Sequence, residues 1–213
     1  MSASRRGLAI AVFAMMLATL AAAPSVAAGE GVIVAFGDSL TAGFGVAHEE
    51  AYPGRLEERL RRDGYAYRVV NAGVSGDTTA GALRRIDWIL KRRPDVVIVA
   101  LGANDGLRGQ SIPAMQDNLG AIVTRFRSTG ARVLLAGMRM PPNYGDEYAR
   151  QFAAAFPTVA RRTGVPLVPF LLDGVAAVAR LNLPDAIHPN AQGHRVIAEH
   201  LWPFLVPLLR KQG

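Results

Sequence analysis

Cysteine is absent from all 213 residues. That excludes a disulfide framework, a cysteine nucleophile, a thiolate-based zinc site and a lipidated N-terminal cysteine. Charge is also sparse: 19% of residues are charged against 50% apolar, which excludes a disordered chain and leaves ample material for a core. No basic tail exists. The 24 Lys and Arg residues are dispersed and the net charge is only +7, so binding of nucleic acid is not expected. Histidine is scarce too, with four in the chain. His188 and His194 bracket a short stretch with a superficial metal look, but no carboxylate pair at ligand spacing completes it. No metal and no cofactor are expected.

The one long apolar run lies at the start. Arg5 and Arg6 precede Leu8 to Ala23, a 16-residue segment interrupted only by Thr19, and Pro24, Ser25, Ala27 and Ala28 follow. A basic start, an apolar middle and small residues at the end are the features of a secretory signal peptide. A spanning helix needs about 20 apolar residues, so a membrane anchor fits less well. Residues 1–28 are expected to be a signal peptide cleaved after Ala27 or Ala28. The mature protein would then be periplasmic or secreted, with no stable membrane anchor. Loss of two arginines would take the charge from +7 to +5.

From residue 29 to 213 the chain reads as one domain of alternating strands and helices. Val32–Phe36, Arg68–Asn71, Asp95–Leu101, Ala131–Ala136 and Val165–Val168 are short apolar runs, several rich in valine and isoleucine. Strands buried on both faces have this composition. Helical spacing lies between them. Ser111 and Pro113 open one helix, which continues through Met115, Leu119, Ile122 and Phe126 and stops at Gly130. Another starts near Thr78, and a third carries Leu56 and Leu60 to Gly64. Such alternation predicts a three-layer α/β/α fold around a parallel sheet. In open sheets of this kind ligands bind beyond the carboxyl ends of the strands.

The first three of those ends each carry a candidate group. Gly37-Asp38-Ser39-Leu40 follows the first strand, Asn71-Ala72-Gly73 opens the loop after the second, and Gly102-Ala103-Asn104-Asp105 follows the third. Asp185-Ala186-Ile187-His188-Pro189-Asn190 precedes the final helix. Taken singly, Ser39 reads as a helix cap, Gly73 as a tight turn, Asn104 as a turn residue and His188 as a surface histidine. Together they offer a hydroxyl, a base, an acid to orient the base, and N–H donors, which is the set acyl transfer needs. The serine is not in a Gly-x-Ser-x-Gly elbow, which argues against the α/β-hydrolase fold.

These four segments, in this order, resemble the four sequence blocks of the GDSL/SGNH hydrolase superfamily. Gly137-Met138-Arg139-Met140-Pro141-Pro142-Asn143-Tyr144-Gly145 makes the chain similar to its arylesterase and acyl-CoA thioesterase I/lysophospholipase L1 branch. The resemblance implies a flavodoxin-like five-stranded parallel sheet. It implies Ser39 as nucleophile, His188 as base and Asp185 as its orienter. The implied oxyanion donors are the Ser39 and Gly73 backbone N–H groups and the Asn104 side-chain amide. The implied substrate is a small ester or thioester: an aryl or short-to-medium acyl ester, an acyl thioester or a lysophospholipid. Leu107, Met138, Met140, Tyr144 and Ile187 are candidates for an acyl pocket, with packing an equal alternative for each. Two other activities suit the same residues: a carbohydrate O-deacetylase or acyltransferase, and a silent lipid- or acyl-binding module.

Overall fold

The computed structural model describes residues 30–210, so the expected signal peptide lies outside the described residues. Five strands form one parallel sheet: β1 (Gly31–Gly37), β2 (Tyr67–Gly73), β3 (Val96–Ala100), β4 (Arg132–Ala136) and β5 (Leu167–Val168). Their order across the sheet is β2-β1-β3-β4-β5. β1 and β3 are buried along their whole length, which is why their sequences are continuously apolar rather than alternating.

Among the described residues six α-helices connect the strands and a seventh follows the last of them. α1 (Ser39–Ala42) and α2 (Tyr52–Arg62) follow β1, and α3 (Thr79–Leu90) follows β2. α4 (Ala103–Leu107) and α5 (Ile112–Arg127) follow β3, α6 (Asp146–Thr163) follows β4, and α7 (Ala191–Leu205) closes the chain after β5. α2 packs on α7, while α3, α5 and α6 pack in a row, so helices cover both sides of the sheet. Phe36 at the end of β1 is fully buried, its ring edge-on to Phe126 of α5 at 5.3 Å. Truncating such a ring costs about 3–5 kcal/mol, and Phe36 directly precedes the Gly37-Asp38-Ser39 turn. Among the described residues no helix is long and apolar enough to cross a membrane.

Caps fall where the sequence places them. Ser111 Oγ accepts from Ala114 N, Thr78 Oγ1 from Gly81 N, and Asn190 Oδ1 from Gln192 N and Gly193 N. α6 is the longest element the sequence reading does not contain, beside the short α1 and α4. Pro157 sits inside it, removing one backbone donor and arguing against a helix. Phe152, Ala155, Phe156, Val159 and Ala160 nonetheless form one buried stripe, and that burial holds the helix through the proline.

The candidate active site

In a sheet of order β2-β1-β3 the chain leaves β1 to one side and β3 to the other, opening a crevice at their carboxyl ends. The register pairs Gly37 of β1 with Ala100 of β3. Asp38 and Ser39 therefore emerge next to Gly102, Ala103 and Asn104.

Ser39 is the first residue of α1. Its backbone N–H can make no bond within the helix, and no partner holds it among the described residues. Asp38 caps this helix, Oδ1 accepting from Leu40 N at 3.0 Å. Its other oxygen, Oδ2, accepts from the Asn104 side-chain amide at 3.3 Å. Asp38 is wholly buried, and burial pushes its carboxyl up to about 6 despite the bond from Leu40 N–H.

His188 reaches this point from the loop before α7. Its Nε2 lies 3.0 Å from Ser39 Oγ, and its Nδ1 lies 2.7 Å from Asp185 Oδ2. Asp185 Oδ1 accepts two backbone N–H bonds, from Ile187 and His188, each at 2.9 Å. Those N–H groups, first that of His188 and then that of Ile187, hold the Asp185 carboxyl down at about 2. An ionised carboxylate only accepts, so Nδ1 carries the imidazole proton and Nε2 presents a lone pair to the Ser39 hydroxyl.

Asn104 stands in the first turn of α4, which is pinned from several sides. Tyr144 Oη donates to Leu107 O at 3.2 Å, Tyr148 Oη to Gly106 O at 3.0 Å, and Asp105 accepts from Thr79 N at 2.9 Å. Arg108 at the end of α4 donates to Gly76 O at 2.9 Å, tying this helix to the loop after β2.

Gly73 requires a correction. Its N–H donates to Asn71 Oδ1 at 3.0 Å and is not free for a substrate. Its lack of a side chain serves packing instead: a Cβ there would lie 2.2 Å from the Ala42 backbone nitrogen, so only glycine lets α1 lie against β2. Three residues on, Gly76 sits in an exposed left-handed turn with φ 77°, its N–H without a partner among the described residues.

The proposed acyl-pocket residues divide. Met138 and Met140 are core residues, Met140 filling the space beside Gly106 and Phe152, which corrects their place as pocket walls. Leu107 and Tyr144 meet beside α4 and keep some exposed surface. Ile187 is half-exposed on the His188 loop.

Sequence reasoning missed Arg85. Its guanidinium donates to Gly37 O at 3.0 Å, Ala72 O at 2.9 Å and Asp77 Oδ2 at 2.8 Å, clamping the carboxyl ends of β1 and β2. Nothing in the local sequence distinguishes this arginine from its neighbour Arg84.

Residues 35–196 match the GDSL-like lipase/acylhydrolase family. The chain belongs to it. The esterase TesA of Pseudomonas aeruginosa is 41% identical over 178 residues, covering 83% of this chain and 89% of the relative. An arylesterase of Vibrio mimicus is 35% identical over 175 residues, covering 82% and 88%. Thioesterase 1/protease 1/lysophospholipase L1 of Escherichia coli is 35% identical over 184 residues, covering 86% and 87%. The crystal structure of TesA superposes with a TM-score of 0.81 at 41% identity, over 84% of this chain and 99% of that one. The five-stranded parallel sheet flanked by helices is thus the SGNH-hydrolase fold, and the protein is a GDSL-type hydrolase.

Proposed function

We propose that the protein hydrolyses carboxylic esters through an acyl-enzyme on Ser39, with His188 as base and Asp185 as its orienter. The observation that carries this reading is the continuous chain from Asp185 through the imidazole to Ser39 Oγ, at 2.7 and 3.0 Å, beside the β1–β3 crevice. Ser39 Oγ attacks the carbonyl carbon as its proton passes to Nε2, and Asp185 stabilises the imidazolium that forms. The carbonyl oxygen becomes an oxyanion held by the Ser39 N–H and the second N–H of the Asn104 amide. In place of Gly73, we assign the backbone contribution from the loop after β2 to Gly76, whose N–H is unengaged and whose carbonyl is held by Arg108. The tetrahedral carbon then expels the alcohol or thiol, which takes the proton from Nε2. Water repeats the sequence with the acyl group and restores the serine.

The relatives' names support aryl esters, acyl thioesters and lysophospholipids as substrates. The basic–apolar–small pattern of residues 1–28 supports export. The test is hydrolysis of phenyl acetate, octanoyl-CoA and a lysophosphatidylcholine by the wild type and by Ser39→Ala. Turnover of at least one class is expected, falling by at least about 10³-fold in the variant. A Ser39→Ala protein with wild-type turnover would overturn the reading.

A further inference from the structure

Four large apolar side chains stand well out in solvent among the described residues: Phe44, Val74, Trp88 and Ile187. Trp88 lies on α3 under the Arg92 guanidinium, 4.8 Å from its ring. The other three stand on the loops of the catalytic rim: Phe44 after α1, Val74 after β2 and Ile187 beside His188. A scattered exposed apolar residue needs no explanation, but a group of them around a candidate nucleophile marks a contact surface.

Two of these residues border the imidazole itself. The Phe44 ring centroid lies 4.6 Å from that of His188, tilted by 39°, yet the residue is 50% exposed. Part of its ring covers the imidazole and the rest is open. Its place is fixed relative to the nucleophile, because the Phe44 and Gly43 N–H groups both donate to Ser39 O, at 3.2 and 3.1 Å. Ile187 is 52% exposed, and its N–H on Asp185 Oδ1 fixes it to the loop that carries the imidazole. Leu183 packs beside Gly45, next along from Phe44, and with Pro184 and Ala186 it lines a cavity of about 380 Å³.

The chemistry decides which half of the substrate meets this surface. Nε2 must hand its proton to the leaving oxygen, so the alcohol lies against His188, while the carbonyl oxygen turns to the donors of other loops. We infer that Phe44 and Ile187 form an apolar platform for the alcohol part of the ester, which selects bulky apolar alcohols, aryl and arylalkyl, over small or polar ones. This rests on the Ser39–His188 reading above. Differential contact with the departing group is felt in kcat/KM, since the platform is in place as the bond breaks.

The test compares benzyl acetate with 2-methoxyethyl acetate, whose alcohols are close in acidity but differ in apolar surface. Phe44→Ala should lower kcat/KM for the benzyl ester about 10-fold more than for the methoxyethyl ester. Ile187→Ser should act in the same direction, and Phe44→Leu should recover most of the loss. With benzyl alcohol held constant, the Phe44→Ala deficit should stay level from the acetate to the octanoate. Equal losses on the two alcohols would overturn the platform, and so would a deficit that grows with acyl length. If Phe44→Ala fails to fold, Ile187→Ser and Phe44→Leu carry the same comparison. Labelling by a fluorophosphonate separates a damaged nucleophile from lost binding. A wild type that cleaves neither ester would refute the hydrolytic reading and the platform with it.

Discussion

The Asp38 carboxylate accepts a hydrogen bond from the Asn104 amide at 3.3 Å, joining the residue before Ser39 to the first turn of α4. One buried side chain thereby holds both the start of α1 and the amide proposed above as an oxyanion donor. Asn104→Ala should lower kcat by about 10²–10³-fold with little change in KM, because a donor aimed at the developing charge acts in the transition state. Asp38→Asn keeps the volume and removes one acceptor oxygen, so it should lose part of the same effect. In the double variant the two losses should not add. Steady-state kinetics on both singles and the double measure this coupling, and full additivity would show that Asp38 does not act through Asn104.

His194 gives the fold a pH dependence of its own. It is buried in α7, with Nδ1 accepting from Tyr52 N at 3.2 Å, so only the neutral ring fits. Burial, then the charge of His188, holds its pKa down at about 4, below the ordinary value of 6.5. Between those values the unfolded chain binds the proton and the folded one does not, so this contribution is whole above about pH 6.5 and lost as pH falls toward 4. Asp38 works oppositely: its raised carboxyl favours the folded state as pH falls from about 6 toward 3.8. Denaturant titrations across pH 4–7 should show a shallower acid loss in His194→Gln than in the wild type. An unchanged slope would contradict the assignment.

Asp185 differs from both. With its carboxyl held at about 2, it stays ionised throughout the range in which the protein would be assayed. Its stabilising effect is present above the ordinary carboxyl value of 3.8 and is lost only as pH falls from there through about 2.

Gly73→Ala should cost both stability and turnover, because the new Cβ would meet the Ala42 backbone and push α1 off β2. Overpacking of this kind costs about 1–3 kcal/mol. At Gly76 a Cβ has room, meeting only the Arg108 side chain at 3.5 Å, and the cost is that of an alanine in a left-handed turn, about 1–2 kcal/mol. Melting curves and kcat for the two variants should show Gly73→Ala losing the two together. A Gly73→Ala protein of normal stability with a selective kcat defect would return Gly73 to the oxyanion site.

Export is checked by intact mass. The protein recovered after secretion should begin at Ala28 or Gly29, and retention of Met1 would refute cleavage of the N-terminal segment.

What the sequence reveals is bounded by how local each signal is. The valine-rich runs mark β1 and β3 because strands buried on both faces must be apolar throughout, and Ser111, Thr78 and Asn190 mark helix starts because a cap bonds within three residues. α1 and α4 span 4 and 5 residues, too short for any periodicity. α6 carries its stripe, but Pro157 speaks against it, and only packing against α5 settles the conflict. Ser39, Asn104, Asp185 and His188 are legible as polar residues at strand ends and in the loop before α7. The choice between Gly73 and Gly76 is not, since it depends on which N–H Asn71 engages. Nor is the role of Arg85, whose three acceptors come from Gly37, Ala72 and Asp77.

Ser39 as the acylated residue is tested most directly by the mass of the protein after reaction with a fluorophosphonate. One adduct per chain is expected, mapped by peptide mass to the segment containing Ser39, and absent from Ser39→Ala. The rate of labelling should fall steeply in His188→Ala, which removes the imidazole 3.0 Å from Ser39 Oγ that is proposed as the base. An adduct on another residue, or equal labelling of the wild type and Ser39→Ala, would contradict the mechanism.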